Sequence, residues 1–314
     1  MKSAIAVLTY NRLPVLKEEL NGIYEHCSQY PLAIFDDLSQ RDGTGKYLVS
    51  TGKYLVSTWP KVARRDDLMA DEYQREDGSK IFLARRNLGV AGNSNRAIKW
   101  FMEETDADHL CLLNDDLHVT GNFVAWYAQA HTDLNVGMFS FCDFTHHASY
   151  KWIDVRKMGY IVKICPRMTA IMTSMTRKVI EAIGYYDAQF GKFGQEHCDH
   201  MNRARFAGFM HLDGMMQPQI DVHHYKTGQP QQVFLRHQEC ETSVVGIDRR
   251  AADREGDEIM KVVGKGYRYR HLYRPFCLRL PKWAGAHGNK GIPVDDLSVA
   301  YKTVTDFWPK PLAS

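Results

Sequence analysis

No run of about 18 consecutive apolar residues occurs in the 314-residue chain, so no membrane-spanning helix is expected. The first residues, MKSAIAVLTYNR, place one Lys before an apolar run of only about six. Such a run is too short for the hydrophobic region of a secretory signal and predicts a buried first strand instead. No CxxC pair exists among the seven cysteines, Cys27, Cys111, Cys142, Cys165, Cys198, Cys240 and Cys277. Odd in number and scattered among apolar neighbours, they predict reduced core thiols and a cytoplasmic setting. A strong charge imbalance is missing too: the net charge of +3 points by itself to no class of partner.

What is present suffices for a sizeable core, since 44% of the residues are hydrophobic and 25% charged. Apolar strand-like runs alternate with helical patterns, which predicts an α/β domain with a largely parallel sheet covered by helices. Strands are expected at Ala4–Thr9, Leu32–Phe35, Lys80–Ala84, His109–Leu113, Val136–Cys142 and Tyr160–Cys165. Helices are expected near Pro14, where Leu16, Leu20 and Ile23 recur at helical spacing, from about Gly92 to Glu104, and over Thr176–Ile183. The heptapeptide TGKYLVS occurs twice, as Thr44–Ser50 and again as Thr51–Ser57. Seven residues are nearly two helical turns, so the duplication predicts a lengthened surface helix. The charged segment Lys61–Asp77 reads as a solvated connection. Past Asp213 the regular alternation gives way to charged segments, Gly-Pro turns and aromatic residues. This predicts a main domain at 1–213 and a C-terminal extension at 214–314 packed on it.

In an open parallel sheet, ligands bind at the carboxyl ends of the strands. Polar clusters fall there after each of the first four expected strands: Thr9-Tyr10-Asn11-Arg12, Asp36-Asp37, Asn87-Leu88-Gly89 and Asn114-Asp115-Asp116. Any one of them alone reads as a turn or a helix cap. Four in succession on one sheet edge predict a binding site.

The segments VLTYNRLPVL, FDDLSQRDGT, RNLGVAGNSNRAI, LLNDDL and IGYYDAQFGKFGQEHCDHMNR follow one another in this order. In these segments the chain resembles the family-2 glycosyltransferases and related GT-A enzymes, from about Ala4 to Phe209. The resemblance implies a GT-A fold and transfer of a sugar from a nucleoside-diphosphate sugar, a UDP-sugar foremost, with Mn²⁺ or Mg²⁺. It implies that Thr9, Tyr10, Asn11, Arg12 and one of Asp36 and Asp37 contact the nucleotide. Asn87, Gly89 and Asn95 would line the nucleotide and diphosphate, and the segment at Asn114-Asp115-Asp116 would bind the metal.

The chemistry agrees with those roles. A diphosphate leaving group concentrates negative charge, which a hard divalent cation on carboxylate oxygens neutralises. Asn114 and Asp116 share one side of an extended segment, because side chains alternate. Asn114 departs from a strict D-x-D pattern, so Asp116 is the main expected metal ligand and Asp115 is left to the ribose or the donor sugar. His223 and His224 sit where related enzymes place a late metal-binding His, and adjacent positions on an extended segment let only one ligate. Gln195-Glu196-His197-Cys198-Asp199 matches the acidic motif that supplies the base of inverting members. The usual base position holds His197, so Glu196, His197 and Asp199 all stay open as the group that takes the acceptor proton. Arg203 and Arg205 are expected to partner this cluster.

Two rival readings keep a nucleotide site. A nucleotidyltransferase would carry a Gly-rich, Lys/Arg-bearing loop after the first strand, which TYNRLP is not. A non-catalytic nucleotide-sugar-binding protein would explain Asn114 and His197 as lost functional positions. The acceptor is named by none of these motifs, and a glycan, a lipid-linked acceptor and a modified nucleic-acid base all stay open. Between Lys261 and Val294 there is no Asp or Glu, while Lys261, Lys265, Arg268, Arg270, Arg274, Arg279, Lys282 and Lys290 are interleaved with Tyr267, Tyr269, Tyr273, Phe276 and Trp283. That pattern suits a polyanion, nucleic acid included, as well as a solvated face. If it lines an acceptor groove, charge reversal at Arg268, Arg270 and Arg274 raises the acceptor KM and leaves donor hydrolysis unchanged. Binding of a polyanionic acceptor then weakens steeply with salt, because each phosphate contact releases counterions. A salt titration of duplex DNA binding checks this, and no binding at low salt removes DNA as the acceptor.

Overall fold

The computed structural model describes residues 1–51, 57–58, 61–141, 153–164, 171–190, 194–212, 215–217, 219–224, 234–237, 254 and 256–260. The basic-aromatic stretch 261–294 lies outside the described residues, as do Cys142, Cys165, Cys240 and Cys277. Cys27, Cys111 and Cys198 are free thiols, the first two buried. No helix among the described residues is long and apolar enough to cross a membrane.

The chain opens with strand β1 (Ser3–Thr9), helix α1 (Leu13–Cys27), strand β2 (Leu32–Asp36) and the short helix α2 (Thr44–Leu48). Four strands follow: β3 (Ser50–Thr51), β4 (Ser57–Thr58), β5 (Lys61–Arg65) and β6 (Ala70–Gln74). Next come β7 (Lys80–Ala84), α3 (Gly89–Glu104), β8 (His109–Asn114), β9 (Leu117–Val119), α4 (Phe123–Leu134) and β10 (Met138–Phe141). Then follow β11 (Ile153–Lys157), β12 (Tyr160–Ile164), β13 (Met172–Thr176), α5 (Arg177–Ile183) and α6 (Glu196–Phe206). The last elements are β14 (His211–Leu212), β15 (Met215–Met216), β16 (Ile220–His224) and β17 (Leu235–His237).

The main sheet has eight strands in the order β10-β13-β8-β1-β2-β7-β6-β5. Its centre, β8-β1-β2-β7, is parallel, and antiparallel strands extend it on both sides. β1 and β2 are buried along their whole length, as expected of strands covered on both faces. From β1 the chain moves outward to β2 and β7, then crosses back past β1 to β8. Right-handed crossovers in opposite directions put α1 and α3 on opposite faces of the sheet. The strand order therefore reverses between β1 and β8, which opens a crevice at their carboxyl ends. On the α3 side, Phe35 stacks on Phe82 at 4.8 Å and meets the edge of Trp100. On the α1 side, Gly22 packs so closely on β9 that a Cβ there would lie 2.4 Å from the Val119 carbonyl oxygen. Part of the 214–314 segment is tied to the first 213 residues, because β16 pairs with β12 and β17 with β9.

Two expectations are corrected. The duplicated heptapeptide does not lengthen a helix: α2 ends at Leu48, and Ser50–Thr51 instead pairs antiparallel with Ser57–Thr58. The junction Val49-Ser50-Thr51-Gly52 combines β-branched residues with Gly, all weak helix formers. Residues 52–56 of the second copy lie outside the described residues. Lys61–Asp77 is not a free connection either, since β5 and β6 form a hairpin that extends the sheet beyond β7. Its charges are paired across the edge: Glu72 with Arg65 at 3.1 Å and Lys80 at 2.9 Å, and Glu104 of α3 with the same two cations at 2.6 and 2.7 Å. Charged edge strands also discourage pairing with other chains.

At the opposite end of the sheet from the crevice lies a buried polar chain. Ser3 Oγ is 3.0 Å from His109 Nδ1, and Ser174 Oγ lies between His109 Nε2 at 2.8 Å and His131 Nε2 at 2.9 Å. His131 Nδ1 donates to the Val136 carbonyl at 2.5 Å. Burial pushes the His131 imidazole down to about 4 and holds His109 well below its ordinary value, so both are neutral in the fold. The unfolded chain takes up their protons near pH 6.5. Stability from the pair is thus complete above that pH and is lost as pH falls toward 4. Between about pH 7 and about pH 4.5 the wild type loses roughly 2 kcal/mol through His131 alone. Urea unfolding at the two pH values shows a smaller loss for His131→Gln, and an equal loss overturns this account.

Candidate functional site

The polar clusters converge where the strand order reverses. Thr9 pairs with Asp36 across β1 and β2, Leu8 pairs with Asn114 across β1 and β8, and the Asp37 amide donates to the Thr9 carbonyl at 2.9 Å. The adjacent acids Asp36 and Asp37, which the sequence leaves interchangeable, have different environments. Asp37 accepts from the Leu88 amide at 2.9 Å and the Gly89 amide at 2.7 Å, at the first turn of α3. It also accepts from Arg96 Nη1 at 2.8 Å, in an ion pair whose partners are both buried. Gly89 adopts φ 73°, a left-handed turn that glycine enters without strain, and this brings its amide to the carboxylate. Asn87 joins the same knot by donating to the Asp37 carbonyl at 3.0 Å.

Asp36 is different. One carboxylate oxygen accepts from the Ser39 amide at 3.0 Å, while Oδ1 is buried with no hydrogen-bond partner among the described residues. Burial pushes this carboxyl up to about 6. A buried acceptor without a donor is costly in a finished core and informative at a binding site.

Asn11 holds the loop above the crevice. It sits at φ 53°, a conformation Asn tolerates better than most residues. Its amide donates to Ser39 Oγ at 2.7 Å, and its side-chain oxygen accepts from the Gln40 and Arg41 amides at 2.9 and 3.0 Å. Asp42 in the same loop caps α1 by accepting from the Leu13 amide at 2.6 Å. Asn11 therefore shapes the 39–42 loop with its oxygen committed.

Asp115 and Asp116 lie side by side at the end of β8. Asp115 accepts from the Tyr10 amide at 3.1 Å, and Arg12 Nη1 donates to Asp115 Oδ1 at 3.2 Å and to Asp116 Oδ2 at 2.8 Å. Burial raises the Asp115 carboxyl to about 6, helped by the charge of Asp116. At Asp116 burial pushes upward as well, but His237 and Arg12 outweigh it and hold the group below its ordinary value. His237 Nε2 is 3.5 Å from Asp116 Oδ2. Behind the pair, Glu19 is fully buried on α1 and accepts from the Leu117 amide at 3.4 Å, its carboxyl held well above the ordinary range by burial and by the two aspartates.

His237 escaped the sequence reading. It reaches Asp116 because β17 pairs with β9, which places His237 opposite Leu117, the residue after Asp116. Nothing in the local sequence marks a three-residue strand more than a hundred positions away. The predicted His223 and His224 lie at the end of β16, opposite Ile161 and Tyr160. Asp115, Asp116 and His237 offer oxygen and imidazole donors, a set that suits Mn²⁺ or Mg²⁺. Yet among the described residues no three His, Cys, Asp or Glu side chains form a ready-made metal cluster. Donor chemistry fits a divalent cation, and the guanidinium of Arg12 bridges the two carboxylates that would hold it.

The candidate base region divides as sharply as the acid pair at Asp36. Asp199 is fully buried and paired with Arg203 at 2.9 Å, and Arg203 also donates to the Ile183 and Tyr185 carbonyls. That is a structural ion pair, and it bears out the expected partner role of Arg203. Glu196 is buried with Oε1 3.5 Å from His197 Nδ1, while its Oε2 has no hydrogen-bond partner among the described residues. Burial would lower the His197 pKa, but Cys198 and Glu196 beside it raise it well above the ordinary value. Asn95 is a clamp: its side chain both accepts from and donates to the backbone of Tyr186, at 2.8 and 2.9 Å. Tyr186 in turn stacks on His200 of α6 at 4.1 Å, so Asn95 ties α3 to the element that carries Glu196.

No protein-family model and no curated protein matches the chain. Solved structures do. The mannosyltransferase PcManGT from Pyrobaculum calidifontis, in complex with GDP-Man and Mn²⁺, superposes with a TM-score of 0.53 at 15% identity, covering 98% of this chain and 81% of that one. GalNAc-T7 with UDP, GalNAc and Mn²⁺ gives a TM-score of 0.51 at 14% identity, covering 98% of this chain but 58% of its own. This chain therefore spans less than two-thirds of that structure. The likeness establishes the fold, which is of the GT-A type.

The two aspartates at the end of β2 separate by experiment. Asp37→Ala leaves Arg96 buried without its partner and strips the start of α3, a loss of about 3–5 kcal/mol in unfolding free energy. Asp36→Asn keeps the shape of a side chain with an unsatisfied oxygen, so stability changes by less than about 1 kcal/mol. Chemical denaturation of both variants decides it, and equal losses contradict the division of roles.

Proposed function

We propose that the chain is a glycosyltransferase that moves a sugar from a nucleoside-diphosphate sugar to an acceptor hydroxyl with the help of a divalent cation. The observation that carries this reading is the paired, buried Asp115 and Asp116 at the strand-order reversal of a GT-A fold. It is supported by PcManGT and GalNAc-T7, which share the fold and were each solved with a nucleotide and Mn²⁺. In this reading Asp36 receives the nucleotide's base or ribose, since its Oδ1 is a buried acceptor awaiting a donor. Thr9, Tyr10 and Asn87 border the same crevice, and Asn11, Asp37, Gly89 and Asn95 hold its walls in place.

Asp115 and Asp116 would hold the cation, with Asn114 beside them at the strand end, and His237 joins His223 and His224 as a candidate imidazole ligand, being 3.5 Å from Asp116. A bound Mn²⁺ or Mg²⁺ neutralises the charge of the diphosphate leaving group. Glu196 is the base: it is buried, its Oε2 has no hydrogen-bond partner among the described residues, and Cys198 and Glu196 hold the pKa of the neighbouring His197 well above its ordinary value. A UDP-sugar is the first donor to try, and the acceptor groove is assigned to the extension beyond residue 213. The cytoplasmic setting inferred from the cysteines belongs to the same proposal.

Incubation with a panel of nucleotide sugars and Mn²⁺ tests the reaction class. Released sugar supports a transferase, released pyrophosphate a nucleotidyltransferase, and silence a binding protein. Asp116→Ala abolishes the Mn²⁺-dependent thermal shift with the donor, because a ligand stabilises only the state it binds. An undiminished shift in that variant removes Asp116 from the metal site.

A further inference from the structure

We infer that Arg12 is an internal counter-cation that closes the Asp115–Asp116 pair and must leave it before a divalent cation enters, so that Arg12 limits the metal affinity of the site. The inference rests on the proposed reading of the pair as a cation site and adds what this chain's own residues impose on it.

The geometry is specific. A single nitrogen, Arg12 Nη1, serves both carboxylates, at 3.2 Å from Asp115 Oδ1 and 2.8 Å from Asp116 Oδ2. The guanidinium side chain is itself 16% exposed, and the acids 6% and 12%. Two carboxylates this close and this buried repel each other strongly unless a cation stands between them. Arg12 supplies that charge, so the pair is stable in the folded chain without any ion. The same contact is an obstacle, because Asp115 Oδ1 and Asp116 Oδ2 are then committed to the guanidinium. A metal ion has to replace hydrogen bonds between charged groups, which are stronger than neutral ones.

The backbone around Arg12 allows the side chain to leave while the loop stays. Arg12 stands at the N-cap of α1, where its carbonyl accepts the Leu16 amide at 3.0 Å, and its neighbour Asn11 is pinned by Ser39, Gln40 and Arg41.

Calorimetric titration of the full chain with Mn²⁺ alone tests this in wild type, Arg12→Gln, Arg12→Lys and Asp116→Ala. Arg12→Gln binds Mn²⁺ roughly ten- to hundredfold more tightly than wild type, the range set by losing a charged hydrogen-bonded competitor. Without metal its thermal midpoint falls below that of wild type, and Mn²⁺ restores it. Arg12→Lys keeps the positive charge, and so the neutrality of the pair, and gives an intermediate affinity. Unchanged or weaker Mn²⁺ binding by both Arg12 variants, with binding still lost in Asp116→Ala, overturns the inference and leaves the cation site standing. Absence of Mn²⁺ binding in wild type and in both Arg12 variants removes the cation site and this inference together.

Discussion

One carboxylate organises the crevice. Asp37 sits at the end of β2, and its backbone amide bonds to the carbonyl that ends β1. Its side chain satisfies the first amides of α3 and neutralises the buried Arg96, whose remaining donors reach the Leu68 and Arg86 carbonyls. Two parallel strands, the crossover helix and the turn before it are thus joined at one point. Free amides at the start of a helix attract anions. Here an internal carboxylate takes them, so the start of α3 is a structural joint, while Asp36 keeps a buried oxygen with no hydrogen-bond partner among the described residues.

The same division recurs throughout the site. Of each set of candidate acids, one member is spent on the fold and another keeps an oxygen with no hydrogen-bond partner among the described residues. Asp37 is paired with Arg96, and Asp36 retains Oδ1. Asp199 is paired with Arg203, and Glu196 retains Oε2. The polar wall residues behave alike: Asn11 and Asn95 have the composition of ligand-binding positions, but their side chains fasten backbone segments to one another. Buried polar groups that are fully bonded hold a site in one shape. The proposed chemistry rests on the few that are not.

At Asp115 and Asp116 the division is replaced by one shared partner. Both acids answer to Arg12, a residue that the sequence places among nucleotide contacts. A cationic side chain between two aspartates lets the chain fold with the pair buried, which a bare pair of negative charges would oppose.

The order of elements was readable from the sequence because it depends on local pattern. Buried parallel strands need continuous apolar runs, and β1, β2, β7 and β8 carry them within a residue or two of the expected bounds. Polar residues at the ends of those runs had to meet on one sheet edge, so the convergence of the four clusters followed as well. Charged segments misled: the hairpin β5–β6 is held by cross-edge ion pairs with Lys80 and Glu104, which no local period reveals. Tertiary structure alone decided which of two adjacent acids is committed, since Asp36 and Asp37 differ only in the partners that α3 brings to one of them. It alone brought His237 to Asp116, through a strand pairing between residues far apart in the chain. Periodicity records which face a side chain turns toward the core. The donor it meets there comes from another element, and that information exists only once the chain has folded.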